Sequence, residues 1–241
     1  MKKNIFFFIL VVYLFSGTLI AQDIDSIRLT HILKSLKLDK TRIKEEFCIE
    51  KKMPGAEDSY IAVIPLVVNQ EEDDYVFTVQ NYIVITDHKG TIKNKYFDPT
   101  PFDSDAVNLG GFSIDTGLYM ISPSVRAFGI KADFEGSSSP NPYSSGKTSL
   151  YYPEGKTLKK VLDQFETDLS IGEWDTRCNG EFKDDHSYII IEPSKTNTFT
   201  DLKIKTISVT TLNNEVKGDC KQKKTSKTSY KILKFKNGKY Q

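Results

Sequence analysis

Leu29, Ile32, Leu33 and Leu36 recur at the i, i+3, i+4, i+7 spacing of one helical face, behind the cap-forming residues Asp25 and Ser26. The spacing predicts one amphipathic helix over residues 25–38, of the kind that packs against a sheet. Past Pro54 the period shortens. Residues 60–68, YIAVIPLVV, are rich in β-branched side chains, and Pro65 within them predicts an edge position or a strand end. In residues 75–87, Tyr75, Phe77 and Val79 alternate with polar neighbours; the phase slips near Gln80 and Asn81 and resumes at Tyr82 and Val84, which predicts a bulged strand. The turn sequence DHKG leads into a returning strand at residues 91–97, and the three strands form a meander.

Residues 111–122 and 125–136 predict a hairpin around Pro123, followed by the polar loop SSSPNPYSSG over residues 137–146. Further strands are expected at residues 148–152, 156–169, 186–192, 201–211 and 225–235; the spacing of Leu158, Val161, Leu162 and Phe165 suits a short helix as well. The fold class that follows is all-β, mainly antiparallel, as a sandwich, a barrel or a propeller-like sheet stack, with one N-terminal amphipathic helix.

The start of the chain changes where this domain is expected to work. Lys2 and Lys3 precede an apolar run from Ile5 to Phe15, and small and polar residues lead to Ala21. That layout predicts a signal peptide over residues 1–21, cut after Ala21. An N-terminal helical segment at 22–54 and a single β-rich domain at 55–241 complete the expected organisation. With no cysteine at the cut there is no lipid-attachment signal. The mature chain is expected in the periplasm or outside the cell, with no stable membrane insertion. Removal of the leader leaves 31 of the 33 basic residues against 32 acidic ones, a balance that gives no reason to expect a nucleic-acid partner.

Candidate chemistry is sparse. FSIDTG, with Asp115, resembles half of an aspartic-protease site, but that chemistry needs two carboxylates sharing a proton and the chain has no second Asp-Thr-Gly. Asp103, Asp105 and Asn108 offer oxygens without the spacing of a calcium loop or its terminal glutamate. His31, His88 and His186 lack metal-ligand spacing, so neither a metal nor a cofactor is expected. Nine lysines between Glu215 and Lys239 face only two acids; such a face suits an anionic polymer or membrane surface, but the pattern also fits strand edges guarded against self-pairing, the preferred reading.

The densest stretch is GEWDTRCNGEF, residues 172–182, holding the only tryptophan. Read as extended chain, it puts Trp174, Thr176 and Cys178 on one face and Glu173, Asp175 and Arg177 on the other. The two acids and the aromatic ring suggest a glycosidase. However, alternation separates the ring from the acids, and Arg177 would lower a pKa that the catalytic acid needs raised. Glu173, Asp175 and Arg177 are therefore candidate ligand-binding residues on an outward ion cluster, with Trp174 expected to be buried beside a disulfide.

With RAFGIK before it and DLKI, Asp219-Cys220 and LKFKNGKY after it, this stretch resembles an uncharacterised family of secreted proteins from Gram-negative bacteria over residues 60–241. The resemblance implies export and cysteine pairing, and lends no residue a catalytic role. Three cysteines leave one unpaired. Cys178 and Cys220 share the β-rich half, whereas Cys48 sits between Phe47 and Ile49 as a small apolar residue, so Cys178–Cys220 is the expected bridge. The function expected is a non-catalytic binding module for an unknown envelope or extracellular ligand. The alternatives are a hydrolase of envelope polysaccharide using Glu173 and Asp175, and an enzyme inhibitor presenting the loop at residues 137–146.

Overall fold

The computed structural model describes residues 23–71 and 75–241; the leader expected at residues 1–21 and its expected cut lie outside them. The helix α1 spans Ser26–Leu36, with the Asp25 side chain accepting from the Arg28 N–H at 2.9 Å to satisfy one of the donors that a helix start leaves over. Its apolar stripe, Leu29, Ile32 and Leu33, packs on Ala62, Ile64 and Val84. Those residues belong to the outer faces of β2 (Tyr60–Gln70) and β3 (Phe77–Thr86). Ile61 and Val63 point the other way, into the main core. Covering β2 on both faces is why it reads as a continuous apolar run rather than an alternating one. Cys48 is buried in the same outer cluster as a free thiol.

The remaining strands are β1 (Ile49–Lys52), β4 (Ile92–Ser104), β5 (Val107–Ser122), β6 (Val125–Gly136), β7 (Tyr143–Glu154), β8 (Thr157–Trp174), β9 (Gly180–Thr196), β10 (Phe199–Val216) and β11 (Asp219–Leu233), with a short pair β12 (Phe235–Lys236) and β13 (Lys239–Tyr240). Eight of them run in the order β1-β2-β3-β4-β8-β7-β6-β5, two antiparallel meanders set edge to edge. The sheet curls nearly into a barrel around Val63, Val79, Ile83, Phe112, Phe128 and Leu158. Of the three architectures expected from sequence, this is closest to the barrel. Pro65 lies beyond the reach of β1, which pairs with β2 only as far as Val63, so the proline interrupts no ladder there.

The two meanders meet at seams that side chains close. β4 touches β8 through one parallel bridge, Lys95 to Thr157. Pro99 and Pro101 deprive β4 of two donors just beyond it. Asn94 Nδ2 donates to the Gly155 carbonyl at 2.8 Å, and Lys160 Nζ reaches Asp98 at 2.8 Å and Thr100 Oγ1 at 2.9 Å. The Tyr151 hydroxyl donates to Asp98 at 2.6 Å. On the opposite side, Lys51 Nζ crosses from β1 to the Ile114 carbonyl of β5 at 3.0 Å.

The segment ambiguous by spacing is strand from Thr157 onward. Register shifts against β7 around Leu150, and Gln164 at φ 42°, break the alternation, so Leu158 enters the barrel core while the adjacent Val161 and Leu162 both enter a second cluster. Bulges thus imitate a helical period. That second cluster, with Leu150, Leu202, Ile204 and Leu233, seats the base of β9, β10 and β11 on the barrel.

Candidate functional site: a stapled arm

Beyond that base, β9, β10 and β11 continue as an antiparallel arm joined to the last residues of β8. β10 pairs with β11 from Leu202–Leu233 to Val216–Asp219 and with β9 along its other edge. Opposed residues share a face, so Ile190, Lys203 and Ile232 form one row across the arm and Tyr188, Lys205 and Tyr230 the next. All four apolar or aromatic members are exposed, Tyr230 at 61%. Lys203 lies 5.4 Å from the centroid of the Tyr230 ring and pairs with Glu192 at 2.9 Å. Of the twelve large hydrophobic side chains exposed among the described residues, seven belong to this arm: Ile171, Tyr188, Ile190, Leu212, Val216, Tyr230 and Ile232.

β11 pairs only with β10 among the described residues, and every residue from Asp219 to Ile232 is exposed. Its open edge carries Lys221, Lys223, Lys224, Lys227 and Lys231, as the lysine-rich composition leads one to expect of an edge strand. The β10–β11 turn has Lys217 at φ 55° and Gly218 at φ 84°, the two positive values that a tight two-residue hairpin requires.

Cys178 and Cys220 are bonded, with their Cα atoms 5.7 Å apart, and so staple the β8–β9 turn to the β10–β11 hairpin. The stretch of residues 172–182 is built around that staple. Its strand ends at Trp174, and residues 175–179 form a turn with Thr176 at φ 61°. The alternation expected for extended chain therefore stops before Asp175. The Asp175 carboxylate accepts the N–H groups of Arg177 at 2.9 Å and Cys178 at 2.8 Å, and Asn179 Nδ2 at 2.8 Å. These bonds, the Arg177 backbone first, hold its pKa down to about 2. Asn179 Oδ1 in turn accepts the Glu215 N–H at 2.9 Å and ties the turn to β10.

Trp174 is half-buried rather than sealed beside the disulfide. Its ring lies 6.1 Å from that of Phe182, and its indole N–H donates to the Ser139 carbonyl at 2.7 Å. The neighbouring glycines make this possible: a Cβ on Gly172 would fall 2.5 Å from the Phe182 ring, and one on Gly180 would fall 2.3 Å from the Trp174 Cβ. The loop at residues 137–142 is pinned to β8, with Pro140 and Pro142 carbonyls accepting from Trp174 and Gly172 at 3.0 Å each.

Glu173, Asp175 and Arg177 are all exposed at the arm's tip. Glu173 opposes Glu181 across the β8–β9 pair, and Asp175 spends its oxygens on the turn. The acids do not converge in a cleft. Asp115 caps a bulge in β5, accepting the Gly117 N–H at 2.8 Å. Asp103 and Asp105 bond Thr78 and Val107 around the β4–β5 turn. His31, His88 and His186 contact Lys89, Asp58 and Asp168 respectively, and no metal-holding group of three or more His, Cys, Asp or Glu occurs among the described residues. Sequence reasoning missed Tyr188, Ile190, Tyr230 and Ile232; Tyr230 and Ile232 flank Lys231, whereas Tyr188 and Ile190 lie in the unbroken apolar run of residues 188–191, where nothing marks them as outward-facing. No helix of the described residues is long and apolar enough to cross a membrane. No family model matches the chain, and neither a curated protein nor a solved structure matches it.

Proposed function

We propose that this chain is an exported, non-catalytic interaction module that docks a protein partner on the exposed face of its arm. One observation carries the reading: the arm extends an ordered sheet well beyond its seat on the barrel and concentrates tyrosine and isoleucine on a solvent-facing surface. Exposed apolar patches with polar rims mark interaction sites, and tyrosine is favoured at their centres. The lysines of β11 guard the edge against strand addition, which leaves the face as the docking surface, and they favour a partner with acidic residues at its rim. The leader-like N-terminus and the resemblance to secreted proteins support a place outside the cytoplasm.

A photo-crosslinking residue placed at Tyr230 tests this in exported protein, with the same residue at Glu154, in the distant β7–β8 turn, as control. The expected result is one discrete adduct from position 230, competed by unlabelled protein and lost in Ile190→Ser/Ile232→Ser. Equal labelling from both positions, or none from position 230, overturns the reading. The hydrolase alternative gains if Glu173→Gln abolishes a measured activity while the fold persists.

A further inference from the structure

A cleft of about 400 Å³ opens where β9 leaves the barrel, adjoining the arm's exposed face at Tyr188, and falls within the range of roughly 300–1,000 Å³ usual for small-molecule sites. Asp168 and His186 in its lining end a row of successive partners that begins at Asp133 and Gly146, across β6, β7, β8 and β9. Lys131 crosses Gly146 to reach Asp168 at 3.0 Å while also holding Asp133 at 2.9 Å. Only glycine permits that path, since a Cβ on residue 146 would sit 2.2 Å from the Lys131 Cε. Asp168 also accepts from His186 Nδ1. Its pKa is lowered because the bonds to Lys131 and His186 outweigh the opposing effect of burial. The carboxylate therefore stays ionised and fixes the imidazole orientation.

We propose that this cleft binds a neutral saccharide. The lining carries Lys51 and Lys131 against Asp115 and Asp168, so opposite charges face the same space and cancel. A phosphate brings net negative charge and would meet two carboxylates; a protonated amine brings positive charge and donors only and would meet two ammonium groups. A sugar hydroxyl both donates and accepts. Lys131 has three donors, two of them committed to aspartates, and one remains for a ligand. Because Asp168 only accepts, the facing Nδ1 of His186 carries a proton, and in that tautomer of the ring Nε2 is the acceptor. Tyr188 stands at the rim, its ring edge-on to His186 with centroids 4.5 Å apart, and its exposed body offers an apolar platform for the C–H face of a pyranose. Ser187, the hydroxyl beside His186, points away and bonds Thr206 at 2.8 Å. The imidazole thus orients a ligand without activating that serine.

Isothermal titration calorimetry of the mature protein with cellobiose, maltose and N,N′-diacetylchitobiose tests the proposal, with inorganic phosphate and putrescine as charged probes. At least one disaccharide is expected to bind saturably. Lys131→Met and His186→Phe should each weaken it about tenfold, the worth of one hydrogen bond involving a charged or buried group. Tyr230→Ser, on the far strand of the arm, should leave that binding unchanged and separates this site from the protein-docking face. Because His186 is exposed, its variant keeps the test open even if Lys131→Met fails to fold. No heat from any sugar at about 20 mM, a concentration that reveals even millimolar affinity, overturns the proposal. So does saturable binding of phosphate or putrescine alone, or unchanged affinity in His186→Phe.

Discussion

Lys160 and Asp98 meet at 2.8 Å across the β4–β8 seam, with side chains only 5% and 1% exposed. Where other neighbouring strands share a ladder of backbone bonds, this pair and its satellites join strands that share one bridge. Burial opposes the charge on Lys160, but its bonds to Asp163 and Asp98 prevail and raise its pKa. Removing the cation in Lys160→Met leaves a buried carboxylate supported by Tyr151 and the Thr100 N–H alone, and is expected to cost about 3–5 kcal/mol in urea unfolding. The double variant Lys160→Met/Asp98→Asn should recover much of that loss. If it recovers none, the seam does not depend on this pair.

The cysteines divide by environment. Burial, reinforced by Glu45 and Glu46, pushes the Cys48 thiol up to about 12, so at pH 8 it is protonated and shielded. Ellman's reagent should find no reactive thiol in the native oxidised protein and one in denaturant. Cys178→Ala/Cys220→Ala opens a loop with a sequence separation of 42 and should lower stability by up to about 4 kcal/mol on the chain-entropy account. A linked peptide containing Cys48 would refute the division.

Asp175 makes the arm's tip sensitive to acid. Its folded pKa, about 2, lies below its ordinary value of 3.8. The stabilisation is therefore fully present above about pH 5 and lost as pH falls from there toward about 2. Fluorescence of Trp174, the only tryptophan, should report loosening of the tip in that window. Asp175→Asn should be looser at pH 7 and show a flatter response; an unchanged acid transition would assign it to other carboxylates.

The β11 lysines should prove protective rather than adhesive. Lys223→Val/Lys227→Val/Lys231→Val removes three charges from an open strand edge and is expected to yield concentration-dependent oligomers in size-exclusion chromatography. A variant that remains monomeric at all concentrations would show that β11 needs no such guard.

Much of the barrel was legible because its strands have one or two buried faces: β2, β3, β5 and β6 announce themselves through Ile61, Val79, Phe112 and Phe128. The ends of the arm strands were not. Glu181 to Asp185 and Asp219 to Lys224 are strand in the structure but mostly exposed, so no hydrophobic period marks them; pairing and the disulfide hold them in place. The returning strand expected at residues 91–97 runs on to Ser104 along the seam, through Pro99 and Pro101. The pairing of Cys178 with Cys220 was readable from their shared half of the chain. The row that brings Lys131, Asp168 and His186 together was not, because it depends on register across four strands.

The staple also governs how the molecule comes apart. A peptide bond cut anywhere from Asn179 to Asp219 falls inside the loop closed by Cys178 and Cys220, so a single protease cleavage there frees no fragment. Both halves stay tethered until the sulfurs are reduced. Clearance of a nicked arm thus needs two agents, a protease and a reductant. In oxidising surroundings, a chain cut once in the arm can persist as one molecule with the arm's exposed face still attached.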